Sequence, residues 1–246
     1  MELIKFRKYS AYYKLKKDKY YIALKNLNFS INKGACLSVV GPSGCGKSTL
    51  IKSLLGSNEF TEGDIFFDGV NLDSVDISKQ NIGYVAQDYS LYPSMTVYEN
   101  IAYPLRLMKT NSKEIDNRVN EIAEKLEITY FLARKPRQLS GGQQSRVSIA
   151  RALIKYPRLL LFDEPFAALQ PGLRVQMREL VKAIHSEYQP TIIFVTHDLE
   201  EAFYLADRIL VLKKGAVQQL GTKEEIEHNP QSELIKEYLC KKEQAF

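Results

Sequence analysis

The sequence predicts an α/β fold. It has a mainly parallel sheet covered by helices, an antiparallel β subdomain at the N-terminus and an α-helical insertion in the middle. Three observations predict it. The apolar strand Ala35–Val40 runs through a glycine-rich loop into a helix that stops at Gly56. From about residue 142, short apolar runs at 159–162, 192–195 and 208–212 alternate with amphipathic helices. That is the rhythm of a parallel sheet with both faces covered. Between these parts, residues 88–138 carry helix caps and no strand pattern. One domain is expected over 1–246, with a core of 1–87 and 139–246 and a helical subdomain of 88–138. There is no internal repeat and no low-complexity segment.

Each element has its own local reason. Residues 3–9 and 20–31 read as strands of a meander. In the second, the alternation Ile22, Leu24, Leu27, Phe29, Ile31 slips phase, as a bulge would make it. Asn32-Lys33-Gly34 is a turn, Glu62–Gly69 a short strand, and Ile82–Ala86 another that ends at Gln87. Thr96 and Glu99 form a capping box that opens a helix to about Leu107. Asn111 with Glu114 repeats that logic, and Ile115, Val119, Ile122, Ala123 and Leu126 keep helical spacing until Pro136 closes the insertion. Helices follow at about 142–155 and 172–188. Asp198 caps a further one through Ala206, and Thr222 with Glu225 forms another capping box before two short terminal helices.

Composition sets the outer bounds. A hydrophobic content of 45% with 26% charged residues suits a globular core and argues against disorder. The net charge of +5 is concentrated near the start, where Lys5, Arg7, Lys8, Lys14, Lys16, Lys17 and Lys19 interleave with Tyr12, Tyr13, Tyr20 and Tyr21. A solvated edge hairpin explains this run, and nucleic acid or an anionic membrane surface is the other reading. Cys36, Cys45 and Cys240 are odd in number and widely spaced, which indicates neither a zinc site nor a disulfide framework. Reduced thiols suit the cytosol. The charged N-terminus has no signal-peptide pattern, and no apolar run approaches the ~20 residues of a spanning helix, so a soluble protein is expected.

The chemistry begins at Gly41-Pro42-Ser43-Gly44-Cys45-Gly46-Lys47-Ser48-Thr49. It fits the phosphate-loop pattern G-x-x-x-x-G-K-[ST] at every fixed position, in the strand–loop–helix context the pattern needs. The glycines let backbone N–H groups turn toward phosphate oxygens, and the helix N-terminus adds partial positive charge. Lys47 is placed to reach the β- and γ-phosphates and the Ser48 hydroxyl to ligate Mg²⁺. Cys45, inside the loop, is expected to be alkylatable and protected by nucleotide. The apolar strand Leu159–Phe162 delivers Asp163 and Glu164 to its C-terminal end, where open α/β sheets bind ligands. There Asp163 can hold Mg²⁺ through water and Glu164 can polarise an attacking water. Leu139-Ser140-Gly141-Gly142-Gln143 is a second anion-binding helix start, about a hundred residues from the first. Its simplest explanation is a nucleotide bound to another copy.

Taken together, the chain resembles the ATP-binding subunit of an ABC transporter over nearly its whole length. The resemblance rests on the phosphate loop Gly41–Thr49, the Q-loop Gln87, the signature Leu139–Gln143, the Walker B Asp163 with Glu164, and the H-loop His197, in family order and spacing. It implies a P-loop NTPase core of the RecA-like kind, with ATP and Mg²⁺ as cofactors. Ser48, Gln87 and Asp163 would be the metal-side residues. It also implies a head-to-tail dimer with a second copy or paralogue, in which each ATP lies on one phosphate loop and is closed by the other subunit's Ser140–Gln143. Glu164 would activate water, His197 sense the γ-phosphate, and Gln87 link the metal to a transmembrane permease. The family stacks adenine on an aromatic residue of the N-terminal hairpin, for which Tyr13 is the first candidate and Tyr12 the second.

The stretches Leu91–Ile101, Phe194–Asp207 and Gly221–Pro230 look like bacterial uptake systems, which implies an extracytoplasmic substrate-binding protein and a place on the cytoplasmic face of the membrane. The chain ends soon after the core, so no sizeable C-terminal regulatory domain is expected. One departure is Gln170, where family members carry an aspartate after Ala167-Ala168-Leu169; altered coupling or hydrolysis rate is expected from it. Ser145, where a glutamine is common, is a lesser one. Other readings are an exporter subunit, a soluble ABC-type ATPase acting on nucleic acid or the ribosome, and an ATP-gated module that does not hydrolyse. The lack of long coiled-coil insertions argues against the soluble ATPase, and intact Glu164 and His197 argue against the last.

Overall fold

In the computed structural model of the chain, the described residues are 1–16, 19–77 and 80–243. Lys17 of the basic run lies outside them. The chain divides into two compact units, Met1–Gln80 with Thr191–Phe246, and Asn81–Pro190.

The first unit opens with β1 (Glu2–Lys14), β2 (Tyr20–Asn32), β3 (Cys36–Val40), α1 (Lys47–Leu54), β4 (Phe60–Phe67) and β5 (Val70–Asn71). The second holds β6 (Ile82–Val85), α2 (Val97–Leu107), α3 (Ser112–Lys125), α4 (Gly141–Leu153), β7 (Leu159–Asp163) and α5 (Pro171–Tyr188). The chain then returns to the first with β8 (Thr191–Thr196), α6 (Leu199–Leu205), β9 (Arg208–Lys213), β10 (Ala216–Gly221), α7 (Lys223–His228) and α8 (Glu233–Glu243).

In the first unit, β1 pairs antiparallel with β2 and β4, and β4 with β5. A second set centres on β3, which pairs parallel with β8 on one side and β9 on the other, while β10 closes the edge antiparallel to β9. Every residue of β3 and β8 is buried, which is why both read as unbroken apolar runs. Their outer cover includes α6, whose Leu199, Ala202 and Phe203 join Val40, Ile209 and Val211 in one cluster with Ile226 and Ile235 from the C-terminal helices. Fully burying each such large aliphatic or aromatic side chain stabilises the fold by about 1.5–3 kcal/mol. In the second unit β6 and β7 are parallel neighbours, and β7 is buried along its whole length.

The phase slip expected in the second strand is real. Pairing shifts register between Tyr9↔Leu27 and Ala11↔Leu24, and Asn26 in that gap adopts φ 48°, a left-handed conformation that asparagine tolerates. Side chains replace the lost ladder bonds, with Ser10 Oγ accepting from Asn26 N at 3.0 Å and Asn28 Oδ1 accepting from Lys8 N at 2.8 Å.

Three expectations needed correction. β1 runs to Lys14 rather than ending near residue 9, because Tyr12↔Ile22 and Tyr13↔Tyr21 continue the ladder through a polar-looking stretch. Asn111 caps α3 by accepting from Lys113 N, but no reciprocal bond from Glu114 forms, and Glu114 pairs instead with Arg118 one turn on. Strands β5 and β10 were not expected at all. β5 has only two residues, and the half-exposed edge strand β10 carries Gln218-Gln219 across its middle, which breaks any apolar pattern.

Candidate nucleotide site

The register of the two parallel strand pairs brings several sequence-predicted residues to common ends. Val40 of β3 is paired with Thr196 of β8, so Gly41 and His197 leave neighbouring strands at the same level. Val85 of β6 is paired with Phe162 of β7, so Gln87 follows two residues beyond one strand while Asp163 ends the next. Both places are C-terminal strand ends, where α/β sheets bind ligands.

The loop into α1 is built by close approach. A Cβ on Gly41 would stand 2.1 Å from the Leu212 carbonyl oxygen, and one on Gly46, whose φ is +111°, would stand 2.5 Å from the Ala23 oxygen. Only glycine fits either place, and Gly46 is also the N-cap of α1. Lys47 is 5% exposed, and its Nζ bends back to donate to Gly41 O at 2.9 Å and Pro42 O at 3.3 Å. Pro42, Ser43, Gly44 and Ser48 are exposed, whereas Cys45 is buried with its Sγ 2.6 Å from the point a Gly41 Cβ would occupy.

The hairpin tyrosines part company here. Tyr13 meets Thr49 of α1, with Oη 3.2 Å from Oγ1, while Tyr12 donates to Glu62 Oε2 of β4 at 2.8 Å. The Glu62 carboxylate pushes the Tyr12 hydroxyl pKa up.

In the second unit Asp163 is buried at 9% exposure, and Glu164 follows in a left-handed conformation, φ 46°. A non-glycine residue held in that region carries strain, which collects at functional positions. Burial first, then the nearby Asp163 and Asp88 carboxylates, raise the Tyr84 pKa. Leu139-Ser140-Gly141-Gly142-Gln143 forms the start of α4 as a closed capping box. Ser140 N donates to Gln143 Oε1 at 2.9 Å and Gln143 N to Ser140 Oγ at 3.4 Å. Ser140 and Gly141 are exposed, while Gly142 is buried so tightly that a Cβ would fall 2.4 Å from Leu173 Cδ2.

Two arginines escaped the sequence reading. Arg151 of α4 donates to Ser90 O at 2.7 Å and Tyr89 O at 2.8 Å, holding two residues whose φ values are 45° and 61° just beyond Gln87. Desolvation lowers its pKa. Arg174 of α5 donates to Leu169 O at 2.9 Å and Ala167 O at 3.2 Å and so pins the loop before Gln170. Backbone carbonyls were their partners, and no sequence pattern marks those.

Hard oxygen donors at Ser48, Gln87 and Asp163 are the kind Mg²⁺ takes, and Mg²⁺ usually uses one or two carboxylates plus substrate phosphates rather than a carboxylate cage. Among the described residues there is no group of three or more His, Cys, Asp or Glu side chains able to hold a metal. Ser48 in the first unit, and Gln87 with Asp163 in the second, each supply oxygen donors of a kind that suits such a metal. Among the same residues no helix is long and apolar enough to cross a membrane.

A strand–loop–helix of this geometry, with a carboxylate ending a parallel strand, defines a phosphate-loop nucleotide-binding protein. More particularly, the chain belongs to the ABC transporter family, whose profile matches residues 24–167. Similar curated proteins include the sn-glycerol-3-phosphate import ATP-binding protein UgpC of Psychromonas ingrahamii, 44% identical over 89% of this chain and 59% of its own length. The maltose/maltodextrin import ATP-binding protein MalK of Vibrio vulnificus is 42% identical over 86% of this chain and 57% of its own. The spermidine/putrescine import ATP-binding protein PotA of Pasteurella multocida is 42% identical over 88% and 58%. The chain thus spans under three-fifths of the length of these relatives. Among solved structures, the ATP-binding cassette MJ0796, in a dimeric post-hydrolysis state bound to ADP and Pi, superposes with a TM-score of 0.80 at 34% identity. The match covers 89% of this chain and 98% of that one.

Proposed function

We propose that this chain is the ATP-binding and ATP-hydrolysing subunit of a solute importer, working at the cytoplasmic face of a membrane. Its ATPase domain would be 1–246, with residues 88–138 as the helical subdomain. The observation that carries the reading is the strand register, which sets Gly41 beside His197 and Gln87 beside Asp163 at C-terminal strand ends. Backbone N–H groups of Gly41–Thr49 and the Lys47 ammonium bind the phosphates, and the Tyr13–Thr49 contact supports Tyr13 as the ring on which adenine stacks. Ser48, Gln87 and Asp163 would hold Mg²⁺, which supplies charge neutralisation to the phosphates when bound. Glu164 takes a proton from the attacking water, and His197 holds the γ-phosphate by hydrogen bonding. Leu139–Gln143 acts on the nucleotide of a second copy or paralogue in a head-to-tail dimer. Catalysis is then positioning and electrostatics, as in other phosphoryl transfers.

The family also supports transmembrane permease subunits as partners, and an extracytoplasmic substrate-binding protein follows from the import reading. Relatives named for a phosphate ester, a maltodextrin and polyamines match at 42–44% identity, so the solute is read from the partners rather than from this chain.

Glu164→Gln tests the hydrolytic core of the proposal. ATP binding should survive while turnover falls and an ATP-bound dimer accumulates on gel filtration; turnover at the parental rate removes the assigned role. Transport is tested by purifying the chain from gently solubilised membranes. A stoichiometric multi-spanning permease is expected, and ribosomes or nucleic acid in its place would overturn the transport claim while leaving the ATPase reading intact.

A further inference from the structure

His197 is exposed, yet the residues on both sides of it are fixed. Thr196, 2% exposed, donates its hydroxyl to Glu201 Oε2 at 2.6 Å, and Glu201 is itself 4% exposed on α6. The same Thr196 oxygen accepts from Asp198 N at 3.0 Å. Asp198 in turn caps α6, its Oδ1 accepting from Glu200 N at 2.8 Å and Glu201 N at 3.4 Å. Thr196 has one hydroxyl proton, and Glu201 takes it, so the lone pairs face Asp198. The direction of the whole relay is thereby set.

A buried carboxylate is costly to maintain, and its presence calls for a reason beyond filling space. Nothing in the apolar packing of α6 requires one at position 201, where Ala202, Phe203 and Leu205 do the burying. Among the groups the carboxylate reaches is the hydroxyl at the end of β8. That hydroxyl also holds the amide just past His197.

We infer that Glu201 is a positioning residue for His197, acting through Thr196. Anchored to α6, the relay fixes the backbone before and after His197, so the Cα from which the exposed imidazole projects is held at the end of β8, level with the start of the phosphate loop. The inference deepens the proposed function, because it rests on His197 holding the γ-phosphate. Misplacing a reacting group by about 1 Å can cost on the order of a hundredfold in rate.

The test is a double-mutant cycle on ATP hydrolysis by the purified chain, with nucleotide affinity measured alongside. Thr196→Val keeps shape and removes the relay; its kcat should fall by about tenfold or more, within that positional range, with the KM for ATP changed by less than about twofold. Glu201→Ala should do the same, while the conservative Thr196→Ser and Glu201→Gln, which keep a donor and an acceptor, restore most of the rate. In a His197→Ala background, Thr196→Val should cause no further loss, because residues acting through one group are not additive. A merely structural role would lower kcat by the same factor in both backgrounds, and that result overturns the inference. Full activity of Thr196→Val overturns it too. If His197→Ala alone keeps its full rate, the reading of His197 fails, and the positioning role goes with it. Should Thr196→Val fold poorly, the Glu201→Gln and Glu201→Ala pair carries the same comparison.

Discussion

Two helices begin at glycine-rich stretches that sequence reasoning marked as anion sites, and they begin in opposite ways. Helix α4 closes its own start. Ser140 and Gln143 exchange hydrogen bonds in a full capping box, and Gln144 Nε2 adds a bond to Leu139 O at 3.2 Å. Helix α1 does not. Its N-cap is Gly46, which has no side chain to offer, and its first residue is a cation placed where the helix dipole disfavours one. Lys47 settles for carbonyls of its own loop. The two ends differ in what they leave open: the start of α1 has no side-chain cap, whereas the start of α4 is closed on itself with Ser140 and Gly141 exposed. On the proposed function, the first would serve a phosphate of its own chain and the second a nucleotide of another copy.

The comparison breaks most visibly at Lys47. Lys47→Ala should lower nucleotide affinity and hydrolysis by a hundredfold or more, the order seen when one charge-stabilising donor is removed. Removing a cation from the positive end of α1 should meanwhile leave the stability of the nucleotide-free chain within about 1 kcal/mol. Fluorescent-nucleotide binding and urea melts check the two halves. A large loss of stability with normal binding would make Lys47 structural.

Ser140→Ala should give the reverse profile. The capping box is lost, which costs about 1 kcal/mol of stability. Nucleotide should bind the single chain as before, while hydrolysis and nucleotide-induced dimerisation fall. Nucleotide titration followed by sedimentation separates these effects, and weakened binding to the single chain would argue against action on a second copy.

How far the sequence could be read follows from the same physics. Capping boxes at Thr96/Glu99 and Thr222/Glu225 are local exchanges between residues three apart, and both formed. The buried strands β3, β7 and β8 have both faces covered, so each was visible as an apolar run. What stayed hidden depends on partners that no residue pattern marks. Arg151 and Arg174 bind carbonyls, the Thr196–Glu201 pair joins the end of a strand to a helix, and the register of β3 against β8 is set by pairing residues as far apart as Val40 and Thr196. The left-handed φ of Glu164 is likewise a property of the turn it sits in and leaves no mark in a residue pattern. Sequence put Tyr13 ahead of Tyr12 without a view of their surroundings, and the structure gives the two rings different partners, Thr49 for Tyr13 and Glu62 for Tyr12.

The smallest expected effect is at the start of a third helix, α5, and it refines the contrast between a closed and an open start. Gln170 is its N-cap, in extended conformation at φ −67° and ψ 152°, and its side chain makes no cap hydrogen bond. The amide arm is one methylene too long for the N2 and N3 amides that an aspartate at N-cap accepts from. The loop before it is held from the other side, by Arg174 on the carbonyls of Ala167 and Leu169. The backbone is therefore already shaped for a capping side chain that is not there. Gln170→Asp should raise stability by about 0.5–2 kcal/mol, read as a shift of the urea midpoint without a change in slope. The aspartate also restores a negative charge in the loop that the resemblance assigns to communication between two nucleotide sites, so ATPase rate and cooperativity should move as well. A gain in stability with both unchanged would show that position 170 matters to α5 alone, and altered kinetics at constant stability would assign it to the second subunit's nucleotide instead.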